Sequence, residues 1–337
     1  ILNIAIIAAC IFAEAWTTWT GTPAIGAVAF AATASGLASA AIQYPTLRRL
    51  GFRFRPTFSG HPEMKRIVQF VGAALVGVVV VQFNLLVETQ LASQAGDGAV
   101  SWIMLGFRLV QIPMSVIAGS IAVAALAQFS LDRAQDNEDA ARETLGQATE
   151  GMMLLVIPAA VGLYLLAHPL VALCFERGAF TANDTIETAI ILRGYAFAVV
   201  GICAYRLFLP IFFALGDPYL PMKLSLAVMA AKIPVALGLM EWFGLMGLPL
   251  SHAVTVSLET SIMAVVLHRR LQGWKTGIAG QLGRIVLASM FMAAGVVTMD
   301  GVLPAFGAPR VIVLCAIGAV LFGTFAWVLG VRSTFPL

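Results

Sequence analysis

The chain is built of long apolar runs separated by short polar connections. Ten runs can be marked: Ile1–Trp16, Pro23–Tyr44, Ile67–Glu88, Gly98–Phe129, Gly151–Leu173, Thr185–Leu215, Pro218–Met240, Leu245–Leu267, Leu282–Met299 and Arg310–Val331. A helix needs about 20 predominantly apolar residues to cross a hydrocarbon core of ~30 Å. Barrel strands would alternate apolar and polar residues, and these runs do not. The pattern predicts an all-α polytopic membrane protein with about ten transmembrane helices. Prolines lie inside several runs (Pro113, Pro158, Pro169, Pro210, Pro234). Bundled membrane helices tolerate them, often as kinks or moving segments.

Composition removes the soluble alternative. The chain is 60% hydrophobic and 11% charged, against ~25% charged in a soluble domain. The net charge of +3 says little, but its distribution is informative. One set of connections holds Arg48, Arg49, Arg53, Arg55, Lys65, Arg66, Arg133, Arg142, Lys223, Arg269, Arg270, Lys275, Arg284 and Arg332. The opposite set holds Arg177 and Arg310. The positive-inside rule makes the first set cytoplasmic, with both ends of the chain on that side. That orientation requires an even number of spans. The charged stretch Leu131–Glu143 reads as a solvated cytoplasmic helix between two spans. Cys10, Cys174, Cys203 and Cys315 are scattered through apolar segments with no metal or disulfide spacing, and read as packing residues. The chain opens at Ile1 inside an apolar run, without a basic leader, and reads as a piece whose start lies upstream.

Arg108 carries the chemistry. It lies ten residues past Gly98 in an otherwise almost wholly apolar stretch, about 15 Å deep at ~1.5 Å per residue. A guanidinium near the bilayer centre costs at least ~2.5–3.5 kcal/mol on insertion scales, so it should face protein or a wet cavity. Its planar, permanently charged fork suits phosphate. The competing reading is a structural arginine satisfied by carbonyls or a neighbouring acid.

The residues around it resemble a known family. Gly98-Ala-Val-Ser-Trp102 followed by Phe107-Arg108-Leu-Val-Gln-Ile-Pro113 is similar to the eighth helix of the MurJ/MviN lipid II flippases, members of the MOP exporter superfamily. Phe175-Glu-Arg-Gly-Ala-Phe-Thr181, Asp184, Thr188-Ala189 and Tyr195-Ala196 follow in family order, as do Pro210-Ile-Phe-Phe-Ala214, Gly216-Asp217 and Pro221. The resemblance covers essentially the whole chain. It implies a MOP-type transporter fold lacking its first four of fourteen helices, the ten runs being helices five to fourteen. Residues 1–66 would be the last two helices of an N-terminal lobe plus a basic cytoplasmic loop. Residues 67–270 would form a six-helix C-terminal lobe, and 271–337 two further helices shaping a lipid-tail groove.

The resemblance also implies a function. Lipid II, an undecaprenyl-pyrophosphate-linked disaccharide-pentapeptide, would be flipped from the cytoplasmic to the periplasmic face of a bacterial inner membrane by alternating access. No covalent chemistry is implied, so the protein is expected to be a transporter rather than an enzyme. Arg108 matches the family arginine implicated in binding the pyrophosphate. Many members have Asp just before it; here Phe107 removes that counter-ion. Arg193 and Arg206, thirteen residues apart, are the other candidate substrate-binding cations. Glu88 falls where some members carry an aspartate that looks like part of a sodium site. The asparagine usual in that site aligns with Lys232, a further polar position with Ala236, and His252 falls near another ligand. Glu88, Lys232 and His252 are therefore the candidate ion-coupling site, with the Lys232 ammonium in place of sodium. Coupling to Na+ or to H+ is left open, and no cofactor is expected. The alternative pairs nothing: Lys232 snorkels and Glu88, about 10 Å nearer the outer face by linear depth, sits at the interface. The partners expected are lipid II and the bilayer, with no nucleic acid, and the protein is expected to be a monomer. Taken alone, the chain is expected to be inactive.

Two rival readings remain. One is a related exporter, an O-antigen or capsule lipid flippase or a drug antiporter; the motif order after Arg108 disfavours it. The other is a membrane-embedded glycosyl- or prenyltransferase, which would need clustered acids for Mg²⁺. Asp132, Asp136 and Asp139 do not have that spacing.

Overall fold

The computed structural model describes residues 2–23, 25–49, 62–273, 278–302 and 307–331. Arg53, Arg55, Lys275 and Arg332, counted above as cytoplasmic charges, lie outside the described residues. All the regular structure described is helical. Seven stretches are long and apolar enough to cross a membrane: 25–49, 99–134, 138–165, 182–214, 219–270, 280–301 and 309–328. The chain is a multi-pass, all-helical membrane protein.

Its contacts fall into two compact units, residues 1–64 and 65–337. In the first, α1 (Leu2–Ile11) and α2 (Ala13–Thr20) precede α3 (Ile25–Arg49). The first apolar run is therefore two helices, parted at Phe12. Gly21, in the left-handed region (φ 68°), ends α2, and Trp16 Nε1 donates to Thr22 Oγ1 across that turn at 2.9 Å.

The second unit follows α4 (Pro62–Ser93), α5 (Ala99–Pro113), a π-helical turn (Met114–Ala118) and α6 (Gly119–Ala134). It continues with α7 (Glu138–Leu165), α8 (Ala167–Phe175), α9 (Ala182–Ala214) and α10 (Tyr219–Phe243). The last elements are α11 (Gly247–Arg270), α12 (Ile278–Val302) and α13 (Gly307–Val328). The 52-residue apolar stretch 219–270 is thus two helices, α10 and α11, reversed at Gly244 (φ 58°). The run Gly151–Leu173 is broken in two. Pro169 lacks an N–H and its ring would collide with the carbonyl of Leu165, which is where α7 stops. Pro113 perturbs the Arg108 helix in the same way, and the π turn follows it directly.

The separate cytoplasmic helix expected at Leu131–Glu143 is instead the end of α6, a tight turn at 135–137 and the start of α7. α6 runs to Ala134 and α7 starts at Glu138, capped by Asn137 Oδ1 accepting from the Ala140 amide at 3.1 Å. Asp132 is buried, not solvated: Gln128 Nε2 and Thr144 Oγ1 each donate to its carboxylate at 2.7 Å.

The core sits around α9, which packs on α5, α6, α7, α8 and α11. Most of its residues are buried and apolar, as on a helix largely enclosed by others. Small residues set the α9–α11 spacing. A Cβ on Gly194 would lie 2.6 Å from Pro249 Cγ, and one on Gly201 would lie 3.0 Å from Val256 Cγ1. Without a hydrophobic drive between helices in lipid, this close approach supplies the packing.

Ties at the helix ends fix which termini share a side. Arg270 Nη2 donates to Asp217 Oδ2 at 2.6 Å, joining the α9–α10 turn to the end of α11. Partial burial opposes charge on Asp217, but the Arg270 hydrogen bond and charge, with the Leu220 and Tyr219 amides, hold its pKa below the ordinary aspartate value. Arg284 Nη1 donates to the Gly330 carbonyl at 3.0 Å. On the opposite side Trp102 Nε1 donates to Asp184 Oδ1 at 2.8 Å. Asp184 also completes a capping box with Thr181.

Candidate functional site: a cationic cavity over a buried ion pair

The turn between α4 and α5 brings two distant charges together. Gly96 (φ 133°) and Gly98 (φ 90°) reverse the chain there with backbone angles other residues rarely adopt. Glu88 lies five residues before the end of α4 and Arg108 nine residues after the start of α5, so both face one cavity of about 380 Å³. α4 also contributes Gln82 and Asn84, α5 contributes Phe107 and Gln111, and α9 and α11 contribute Tyr195 and His252.

Arg108 is exposed to this space and makes no hydrogen bond or ion pair with any described residue. Asn84 Oδ1, on the same wall, is buried without a hydrogen-bond partner among the described residues. An unpaired guanidinium and an unsatisfied amide oxygen in one pocket are groups that expect a polar occupant.

Beneath the cavity, Lys232 of α10 is almost wholly enclosed, its side chain 1% exposed. Its Nζ donates to Glu88 Oε1 at 2.7 Å, and Tyr195 OH donates to Glu88 Oε2 at 3.0 Å. His252 Nδ1 lies 3.2 Å from Lys232 Nζ and 3.3 Å from Glu88 Oε1. The structure thus brings Glu88, Lys232 and His252 into one cluster. Burying the pair is tolerable because Glu88 has three partners and the ammonium faces a carboxylate. Above it the Phe107 ring packs on Tyr195 (centroids 5.3 Å) and His252 (6.4 Å).

The cluster does not suit a sodium ion. A hard cation takes a shell of oxygen donors. Here one carboxylate is shared with an ammonium and an imidazole, and the aligned polar position is Ala236, which is buried and has no donor. No group of three or more His, Cys, Asp or Glu that could hold a metal occurs among the described residues.

Arg193 and Arg206 do not line the Arg108 cavity. Arg193 lies 6.0 Å from the centroid of the Tyr164 ring, and Arg206 is exposed on α9. One heptad from His252 and Lys232 on their helices, Glu259 and Ser225 form a second buried contact. Ser225 Oγ donates to Glu259 Oε1 at 2.5 Å, with Tyr205 OH 3.4 Å from Ser225.

Sequence reasoning assigned no role to Tyr195, Asn84 or Gln111. Tyr195 had a signal: a tyrosine inside an apolar span must find a partner for its hydroxyl. Asn84 and Gln111 are polar interruptions of the same kind.

A second, larger cavity of about 880 Å³ lies between α11 and α12, floored by α7 and α9. It is mainly apolar, with His268 and Arg269 at one end.

Known proteins match this chain in sequence and in fold. The family model described as lipid II flippase MurJ matches residues 1–317. A probable lipid II flippase MurJ of Bdellovibrio bacteriovorus is 31% identical over 236 residues, 70% of this chain and 45% of that protein. The chain spans about half the length of the curated relatives it matches first. A lipid II flippase MurJ solved in an inward closed conformation superposes with a TM-score of 0.75 at 20% identity, covering 97% of this chain and 65% of that one. A MOP superfamily transporter from Pyrococcus furiosus superposes with a TM-score of 0.51 at 14% identity, covering 83% and 69%. The chain belongs to the MurJ family of lipid II flippases.

Proposed function

We propose that this chain is the part of a lipid II flippase that holds the pyrophosphate, in an alternating-access transporter of the bacterial inner membrane. The observation that carries the reading is Arg108: an unpaired guanidinium in a cavity within the membrane-spanning helices, in a chain of this family. A planar fork of donors pairs with phosphate oxygens two at a time. The polyprenyl tail would lie in the mainly apolar cavity between α11 and α12. No covalent step is needed, only differential binding on the two sides of the membrane.

The orientation follows from charge. The side holding Arg133, Arg142, Arg269 and Arg270 is cytoplasmic by the positive-inside rule, with both ends of the chain there. Residues 1–66 would belong to one lobe, 67–270 to the other, and 271–337 to the tail groove. The transporter is read as a monomer.

The test uses the gene's complete product in cells depleted of their own flippase. Lipid II accessibility to a cleaving enzyme added outside is measured for the intact protein and for Arg108→Ala. Losing a charge-assisted contact worth about 1.5–3 kcal/mol should reduce flipping by roughly 10- to 150-fold. Failure of the intact protein would point to another lipid-linked substrate. Equal activity of the two would make Arg108 structural.

A further inference from the structure

We propose that anion binding in the Arg108 cavity takes up a proton at His252 and does not require sodium. The inference rests on reading the cavity as an anion site. Among the described residues, Tyr195 and His252 both touch the buried pair and line the cavity, and of the two side chains only an imidazole ordinarily changes charge between about pH 5 and 8. His252 Nδ1 lies against Lys232 and Glu88, while the ring lines the cavity with 23% of the side chain exposed. Nε2 therefore lies on the cavity side of the ring.

The charges facing it are few. Glu88 comes from α4, Arg108 from the cavity wall on α5, the Tyr195 hydroxyl from α9 and Lys232 from α10. On α11 itself the next acid, Glu259, is one heptad away. With His252 neutral, Lys232 and Glu88 cancel and Arg108 is the uncompensated cation among these groups. A neutral imidazole can then accept from the Lys232 ammonium at Nδ1 and present an Nε2–H to the cavity.

Protonation rearranges this with no other bond broken. The proton comes from solvent and binds Nδ1, which turns from the Lys232 contact to donate to Glu88 Oε1, already 3.3 Å away. Lys232 keeps its 2.7 Å bond and Tyr195 its 3.0 Å bond. A carboxylate has about four acceptor sites, enough for all three donors. Two cations then share one carboxylate, which leaves the cluster with a net positive charge. An anion at Arg108 supplies the missing negative charge and accepts the Nε2–H. Anion and proton therefore favour each other by the same factor in both directions. A pyrophosphate diester carries two negative charges, matched here by Arg108 and a protonated His252.

The test uses the gene's complete product in detergent and, as probe, a pyrophosphate diester bearing a short prenyl chain and a sugar. Both acid groups of the probe stay ionised from pH 5.5 to 8, so any proton taken up belongs to the protein. Affinity and heat of binding are measured across that range in buffers of different ionisation enthalpy, with sodium or with choline as the cation. Expected are affinity rising by up to about tenfold per unit fall in pH, net proton uptake on binding, and no effect of replacing sodium. H252Q keeps a neutral donor near Nε2 but cannot be protonated there; its profile should be flat, with no uptake, whatever its affinity. Binding without uptake, equal pH slopes in both proteins, or a requirement for sodium would each overturn the proposal. Absence of probe binding at every pH would overturn the anion-site reading itself.

Discussion

Replacing Lys232 with methionine isolates the role of the buried pair. The side chains of Lys232 and Glu88 are 1% and 8% exposed, and the ammonium lies 2.7 Å from the carboxylate. Methionine fills a similar volume but leaves Glu88 with only His252 and the Tyr195 hydroxyl. Removing one partner of a buried pair costs about 3–5 kcal/mol, because the other charge remains desolvated. At roughly 2–4 °C per kcal/mol for a large domain, that lowers Tm by about 6–20 °C. Glu88→Gln should be similarly harmful, since it strands the ammonium. The double variant Glu88→Gln/Lys232→Met buries no charge and should return to within about 1 kcal/mol of the parent. Thermal unfolding of the four proteins in one detergent gives the coupling energy, expected above about 2 kcal/mol. If the two single losses simply add in the double variant, the residues do not form a buried pair and the cluster is wrongly drawn.

Gly194→Ala should destabilise by about 1–3 kcal/mol, because its Cβ would lie 2.6 Å from Pro249 Cγ, a ring atom with little freedom to retreat. Thermal unfolding checks this, and Gly238→Ala, with open space at its Cβ, is the control. Asp217 predicts a pH effect. Its pKa is held below the ordinary aspartate value, so its contribution is present above the unfolded pKa of ~3.9 and is lost as pH falls through the folded value. Asp217→Asn should therefore lower Tm at pH 7 and converge on the parent in acid, a small effect because Arg270 is 43% exposed.

The sequence was most readable where burial forces a single outcome. Glu88 and Lys232 each interrupt an apolar run, and unpaired charges there are too costly to leave alone. Their pairing was less legible, because linear depth put them about 10 Å apart. That estimate assumed each run crosses perpendicular to the membrane. α4 has 32 residues, about 48 Å of helix against a core of ~30 Å, so position along it does not translate into depth. Arg193 shows the complementary limit. The thirteen residues to Arg206 are about 3.6 turns, so the two point to nearly opposite sides of α9; which neighbour meets each side is a tertiary matter, and the structure places Tyr164 beside Arg193. The break before α8 was legible in Pro169 and the tight α6–α7 turn was not. The charged residues of Leu131–Glu143 read as solvated because nothing local showed that Gln128 and Thr144 would satisfy Asp132.

The same geometry separates a stiff part of the second unit from a yielding one. α4, α9, α10 and α11 meet at Glu88, Tyr195, Lys232 and His252. Sliding any one of these helices past the others would break a contact to a buried charge, at a cost of several kcal/mol. The α9–α11 seam is further locked where Gly194 meets Pro249. α5 is held differently. Its contribution to the cluster is the Phe107 ring, an apolar contact that can slide, and its polar tie to α9 among the described residues is the single Trp102–Asp184 hydrogen bond near its start. Arg108 beside that ring is tied to no described residue, and five residues later the helix passes through Pro113 and a π turn. Hydrogen bonds already displaced from the α-helical register are the cheapest place for a membrane helix to bend. Any rearrangement that exposes the cavity to alternate sides should therefore release the Trp102–Asp184 hydrogen bond and pivot α5 about Met114–Ala118, carrying Arg108 with it, while the ion pair stays with the α4–α9–α10–α11 block.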